Sequence, residues 1–216
     1  MQFTKVLLPD PLGPIRPSTL VNCITGVLIA DEGAVQFDGH DISRLPAHQR
    51  IRRGLARSFQ IPKPFASMSV VDNLYVPLVY ATPAKIGRSP VDIRNEAMGI
   101  LTEIGLAEKA DVKSGGLTQV EMRKLELARA IAAKPKLLIS DEAMAGLSSS
   151  EVDDIIGLLL KMKERNIAVI MIEHIMRAVV KFSEHVVVLD AGKKIAEGDP
   201  QSVMKNPLVE KAYLGE

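Results

Sequence analysis

Cysteine is almost missing from the 216 residues, with Cys23 the single one. A disulfide within the chain is therefore excluded, and a reducing compartment is the expected setting. An excess of one charge is missing as well: 27 Lys and Arg stand against 26 Asp and Glu, a net charge of +1. Nothing in that balance argues for nucleic acid or an anionic bilayer as partner. Long apolar runs are absent, since residues 155–160 and 167–172 are both too short to cross a bilayer. The start, Met1-Gln2-Phe3-Thr4-Lys5-Val6-Leu7-Leu8-Pro9, has too brief an apolar segment for a signal peptide. Internal repeats and low-complexity tracts are lacking too. What remains is 47% hydrophobic and 25% charged residues, an ordinary globular composition. The length suits one domain, or one domain with two lobes, with a proper core. A cytosolic protein, peripheral to a membrane if it meets one, is expected.

The most informative stretch is Leu137-Leu138-Ile139-Ser140-Asp141-Glu142-Ala143-Met144-Ala145-Gly146-Leu147. A short apolar run led in by Pro135 reads as a strand buried on both faces, as in a parallel sheet. Ligands of such sheets sit outside the carboxyl ends of the strands, where Asp141 and Glu142 fall. An isolated acidic pair there is most simply a helix cap. In a nucleotide site, one acid faces Mg²⁺ and the other orients an attacking water.

Residues 1–17 carry Pro9, Pro11, Pro14 and Pro17 and have neither helical nor strand periodicity. A helix is predicted from about Pro17 or Ser18, with Gly26 at its end. Residues 35–42 read as a strand followed by an Asp-Gly turn, 46–53 as a short basic helix and 55–60 as an alternating strand. Arg50, Arg52, Arg53 and Arg57 read as a solvated face. Strands then stop. Ser69-Val70-Val71-Asp72-Asn73-Leu74 suggests a helix start, residues 93–104 have helical spacing, and Pro77, Pro83 and Pro90 break the region between them. This is predicted to be a helical lobe inserted after Gln60, closed by a helix over 117–133. Phe65, Met68, Val70 and Val71 are candidates for a docking face on it, or else ordinary lobe core. Beyond the acidic strand, Ser148-Ser149-Ser150 offers several possible caps for a helix from near Glu151 to Arg165, and a strand over 167–172 ending at Glu173-His174 and a helix over 176–182 come next. Strands over 185–189 and 194–197 follow, and one or two short helices over 200–216. The βαβαβ rhythm predicts a parallel α/β sheet with right-handed crossovers.

Four features line up: Gln60 at a strand end, Leu117-Thr118-Gln119-Val120-Glu121 opening a helix, Asp141-Glu142, and His174 ending the next strand. From Ser18 onward the chain resembles the ATP-binding subunit of ABC transporters. The phrases Phe37-Asp38-Gly39-His40-Asp41-Ile42, Arg57-Ser58-Phe59-Gln60-Ile61-Pro62, Leu125-Glu126-Leu127-Ala128-Arg129-Ala130, Met144-Ala145-Gly146-Leu147 and Ala212-Tyr213-Leu214-Gly215-Glu216 look most like the ATPases of branched-chain amino-acid importers. The resemblance implies an α/β, P-loop NTPase-like parallel-sheet core with an inserted helical lobe and a truncated N-terminal β part. Residues 18–60 and 134–200 would be the core, 61–133 the helical lobe with the signature helix, and 201–216 a tail. It implies ATP and Mg²⁺ as ligands, a second ABC ATPase subunit and transmembrane permease subunits as partners, no nucleic acid, and a place at the inner face of the cell membrane. By the same resemblance Glu142 is the general base or water-orienting carboxylate and His174 the switch histidine at the γ-phosphate. Ser18 and Thr19 end the phosphate loop, while Asp141, Gln60 and Ser18 face Mg²⁺. Residues 117–121 meet the partner's nucleotide, and Ala145-Gly146-Leu147-Ser148 pair across the dimer. The logic is phosphoryl transfer by positioning and charge.

Two departures stand out. The signature keeps a hydroxyl at Thr118, but the family's glycines are replaced by Gln119 and Val120. The phosphate loop falls on residues 11–19, where Pro17 takes the place of the lysine, and Pro14 and Arg16 replace glycines. The two prolines also remove two N–H donors, and the strands and adenine-stacking aromatic residue that usually precede the loop are missing. Three expectations stay open: an importer ATPase, an inactive subunit of the same fold, and a foreign stretch over residues 1–17 left by a shifted reading frame.

Overall fold

The computed structural model describes residues 17–59, 62–81 and 89–214. Gln60 and residues 11–16 of the expected phosphate loop lie outside them. The described residues pack as two compact units, one from 1–50 with 174–216 and one from 51–173.

In the first unit, helix α1 (Pro17–Thr25) begins on the proline. Proline suits that position because its missing N–H would have no partner there and its fixed φ is already helical. Gly26 follows at φ +78°, where an added Cβ would stand 2.9 Å from the Leu45 carbonyl oxygen. Strands β1 (Gln36–Phe37) and β2 (His40–Asp41) form an antiparallel hairpin. The Asp-Gly turn expected in this segment joins the two strands. Asp38 and Gly39 both take positive φ, the geometry a two-residue hairpin requires. Helix α2 (Ala47–Arg52) carries the first correction to the basic run, for Arg50 is 1% exposed. Its guanidinium donates to the carbonyls of Cys23 (2.6 Å), Ile24 (2.7 Å), Ser43 (2.8 Å) and Leu45 (2.7 Å). It thus caps the carbonyl end of α1, where a cation also meets the negative pole of the helix dipole. Burial pulls the Arg50 guanidinium below its ordinary value, opposed by the charges of Cys23 and Asp41.

The carboxyl-terminal part of this unit holds α6 (Met176–Phe182), β6 (Val186–Asp190) and β7 (Lys193–Gly198). The helices α7 (Pro200–Met204) and α8 (Pro207–Leu214) follow. Strand β6 pairs antiparallel with β7 rather than extending a parallel βαβαβ run. The turn Asp190-Ala191-Gly192-Lys193 is short enough to fold the chain straight back, with Ala191 and Gly192 at positive φ.

The second unit is built on a three-stranded parallel sheet of β3 (Leu55–Ser58), β4 (Leu137–Asp141) and β5 (Ala168–Ile172), in that order. Leu138, Ile139, Ser140 and Asp141 are all buried, as expected of a strand covered on both faces. Register pairs Arg57 with Ile139, Ser58 with Ser140, and Asp141 with Ile172. Helix α3 (Pro90–Glu103) starts at Pro90, which here opens a helix instead of breaking one, with Ser89 as its cap. Helix α4 (Gln119–Ala132) puts Leu125, Leu127, Ala128 and Ile131 inside. Helix α5 (Ser149–Glu164) connects β4 to β5, and Ser148, the first of the three candidate serines, is its cap. Val70 and Val71 are fully buried, so they are core. Phe65 is exposed, with the Arg129 guanidinium 5.1 Å from its ring centre. No helix among the described residues is long and apolar enough to cross a membrane.

Candidate functional site

The carboxyl ends of β3, β4 and β5 gather most of the expected chemistry of the second unit. Asp141 closes β4 with its side chain 7% exposed, and the Arg57 guanidinium, 11% exposed, donates to Asp141 Oδ2 at 2.6 Å. The register explains the pair. Side chains alternate along each strand, so Arg57, its neighbour Ile139 and Asp141 share one face, and Asp141 lies one pleat beyond Arg57. The Phe59 ring, just past the end of β3, has the guanidinium carbon of Arg57 5.2 Å from its centre. Arg57 is the second correction to the solvated basic face. Alternation along residues 55–60 indicates which side Arg57 takes, but a lone strand does not reveal the acid one pleat away on its neighbour.

Glu142, the next residue, leaves the strand at φ +45° and donates its N–H to the Ile172 carbonyl at 3.0 Å. A non-glycine residue in the left-handed region costs about 1–2 kcal/mol. The turn swings the chain from the sheet into the loop over 143–148. There Glu173, just past β5, accepts the Met144 N–H at 3.0 Å and ties the loop to the next strand end. Buried Arg123 on α4 donates to the Phe59 carbonyl at 3.3 Å. Burial lowers its affinity for the proton, while the charges of Glu126, Glu173 and Glu142 raise it. Two guanidiniums, Arg57 and Arg123, therefore serve a strand end rich in carboxylates. Arg123 and Glu173 were not among the expected site residues; the only signal for them is a charge within an apolar helical stripe and an acid beside His174.

The expected signature and loop residues are brought together. Leu117 is buried, and Thr118 caps α4 by accepting the Glu121 N–H at 3.4 Å. Glu121 accepts the Thr118 N–H at 3.0 Å in return, and Lys109 bridges to Glu121 at 2.6 Å. The Lys109 contact, then the Thr118 N–H, hold the Glu121 carboxyl below its ordinary range. Val120 is half-buried. The helix start thus satisfies its own donors with its own carboxylate. Gln119 reaches across to the Ala145 carbonyl at 3.2 Å. Gly146, at φ +78°, leaves room for that amide: an added Cβ would meet Gln119 Nε2 at 2.8 Å. Leu147 and Ser148 complete the loop, and Glu151 accepts both the Ser148 N–H (2.8 Å) and its hydroxyl (2.7 Å).

The other expected residues belong to the first unit or fall outside the description. His174 is exposed, and Ser18 and Thr19 sit in the first turn of α1. Magnesium was expected on Asp141, Gln60 and Ser18. The described residues hold no group of three or more His, Cys, Asp or Glu side chains fit for a metal, and Asp141 is engaged by Arg57. As arranged, Asp141 presents a carboxylate already paired with Arg57, so the described residues do not by themselves fit the ion, and no step is routed through it.

The geometry is that of a parallel-sheet nucleotide fold, and comparison places it. A family model described as ABC transporter matches residues 17–145, more than half of the chain. The chain belongs to the ABC transporter ATP-binding family. A second model, the branched-chain amino acid ATP-binding cassette transporter, matches residues 193–216. The high-affinity branched-chain amino acid transport ATP-binding protein BraF of Pseudomonas aeruginosa is 37% identical over all of this chain and 88% of its own length. A probable LivG of Archaeoglobus fulgidus is 31% identical over 99% of the chain and 84% of its own. The lipopolysaccharide export ATP-binding protein LptB of Haemophilus influenzae is 32% identical over 95% and 84%. Among solved structures, a nucleotide-free ATP-binding cassette from an ABC transporter superposes with a TM-score of 0.80 at 31% identity, covering 92% of this chain and 83% of that one. An ADP conformation of such a cassette gives 0.80 at 32%, covering 93% and 84%. The α/β, P-loop NTPase-like fold of an ABC cassette is therefore the fold of this chain. The relatives' descriptions do not favour an inactive subunit over an ATP-binding transport protein.

Proposed function

We propose that this chain is the ATP-binding subunit that drives an importer of branched-chain amino acids. ABC cassettes similar to it serve different cargoes, lipopolysaccharide among them, so the core alone does not select the solute. The observation that carries the choice is the match of residues 193–216 to the branched-chain cassette model, joined to the 37% identity with BraF. In this reading residues 61–133 form a helical lobe that docks on transmembrane permease subunits at the inner face of the cell membrane. A second ATPase subunit, the same or related, completes the pair.

The residues divide the work of ATP hydrolysis as follows. Glu142, swung off the end of β4 by its left-handed turn, orients the water that attacks the γ-phosphate and accepts its proton. His174 contacts that phosphate, Ser18 and Thr19 cradle the chain of phosphates at the start of α1, and Gln60 links the site to the lobe. Residues 117–121 face the nucleotide held by the partner subunit, with Thr118 supplying the hydroxyl, while residues 145–148 pair across the dimer. ADP and phosphate leave when the pair opens.

The test is genetic and direct. The chain, with residues 11–17 replaced by a Gly-rich, lysine-bearing loop, is expressed with the membrane subunits of a branched-chain importer in cells lacking the importer's own ATPases, and leucine, isoleucine and valine uptake is measured. Energised uptake well above the empty-vector level is the expected outcome. Failure to co-purify with those subunits, or uptake at the empty-vector level with the complex assembled, contradicts the reading.

A further inference from the structure

Glu142 is held in a backbone conformation that a residue with a Cβ does not favour, at φ +45°. Such a turn persists only where the surrounding structure over-determines it. Strand β5 supplies part of the hold. The Glu142 N–H donates to the Ile172 carbonyl at 3.0 Å, and the Met144 N–H to the Glu173 carboxylate at 3.0 Å. The other side of the turn is held from a different element. The Ala145 N–H donates back to the Glu142 carbonyl at 3.3 Å. The Ala145 carbonyl in turn accepts the side-chain amide of Gln119, the first residue of α4, at 3.2 Å. Gly146 makes space for that amide, since a Cβ there would stand 2.8 Å from Gln119 Nε2. Gln119 occupies one of the two signature positions where the family carries glycine, and a glycine has no side chain to reach Ala145. The departure from the signature therefore adds a bond.

We propose that Gln119 is a positioning residue for Glu142, a latch from the signature helix that holds the turn over 142–146 in place. Glu142 is then fixed from two elements, β5 and α4, instead of β5 alone. The inference rests on the proposed role of Glu142 in orienting water, and adds how the subunit keeps that residue where it is.

Amide hydrogen exchange, followed residue by residue in the whole chain without nucleotide, tests the latch. Gln119→Glu keeps the length of the side chain and loses the donating amide. Its carboxylate lies in the first turn of α4, where the helix dipole favours it, so the variant should melt no lower than the parent. Exchange at Glu142, Ala145 and Leu147 should nonetheless quicken about threefold to tenfold, the effect of losing one ordinary hydrogen bond, while Ile139 in β4 and Leu127 in α4 keep the parent rate. Gln119→Met, which carries no charge, should give the same local change. Gly146→Ala pushes the amide aside, so it should quicken the same positions, and adding Gln119→Glu to it should change them no further. Parent-like exchange at Glu142, Ala145 and Leu147 in Gln119→Glu overturns the proposal. Quickening spread equally over α4 and β4, a change seen with Glu but not Met, or full additivity with Gly146→Ala overturns it as well. Because nucleotide and partner are absent throughout, a failure here strikes the latch alone, whereas a failed uptake assay strikes the proposed function.

Discussion

Two arginines seven residues apart have opposite kinds of partner. Arg50 is sealed among backbone carbonyls with no carboxylate bonded to it, and it holds the end of α1 and the loop over 43–45 together. Arg57 meets the Asp141 carboxylate, at the strand end where the chemistry is expected. The first is scaffold and the second belongs to the site, although both come from the same basic stretch. What separates them is the partner. Carbonyls cannot leave or change charge, so Arg50 has nothing to exchange with. A carboxylate can be neutralised by Asp141→Asn, so the Arg57 pair can be opened from either side.

That difference can be broken at either arginine. Removing Arg50 should be the larger insult, since Arg50→Ala takes the side-chain donor from the carbonyls of Ile24, Ser43 and Leu45 and leaves that of Cys23 with the Gly26 N–H at 3.4 Å. A loss of about 4 kcal/mol is expected, at roughly 1–3 kcal/mol for each acceptor left unsatisfied. Urea denaturation of the purified chain reads it, and an unchanged midpoint would mean that water or a neighbour replaces the guanidinium. Arg57→Ala should cost less, about 2–3 kcal/mol, because it removes one ion pair where Arg50→Ala removes the donor to four carbonyls. Here the sharper readout is the cycle with Asp141→Asn. The double variant should recover more than half of the single loss, whereas Asp41→Asn, the acid nearest Arg50 in chain and charge, should recover none of the Arg50→Ala loss.

The smallest expected effect concerns the self-capped signature helix. The Glu121 carboxyl titrates below its ordinary value of 4.5 in the folded chain, chiefly through Lys109 and then the Thr118 N–H. A group depressed on folding contributes stability above its unfolded value and loses it as pH falls through the folded value. Parent and Glu121→Gln should therefore differ at neutral pH and converge as the pH drops below 4.5. Thermal melts across that range check it, and a gap that stays constant would remove Glu121 from the cap. Thr118→Ala should cost about 1 kcal/mol by the same melts.

Much of this was legible beforehand, and the gaps have physical causes. The buried strand with its acidic end, the helices around it and the capping serine follow from local signals: apolar runs, turn residues and hydroxyls ahead of a helical period. Tertiary partners do not. Arg50 and Arg57 look like solvent-facing charges because a basic run says nothing about which carbonyls or acids the fold will bring up. Pro90 looks like a breaker because the same ring that stops a helix also starts one, and only the preceding Ser89 decides. Strand β6 looks like the third of a parallel series, yet the turn over 190–193 is too tight for a crossover and returns it as a hairpin. At the site, the Asp141-Glu142 pair was found from sequence, while Arg57, Arg123 and Glu173 come from neighbouring elements that no local pattern links to it.

The central claim is that the end of β4 is a hydrolytic centre in which Glu142 handles the water. The direct measurement is single-turnover hydrolysis of ATP, with binding followed in parallel, in a chain whose residues 11–17 carry a Gly-rich, lysine-bearing loop so that the rate is measurable. Glu142→Gln keeps the size and hydrogen bonding of the side chain and removes its charge. The account predicts a rate about 10²–10⁴ lower with nucleotide binding and fold retained. Turnover at the parent rate would contradict it.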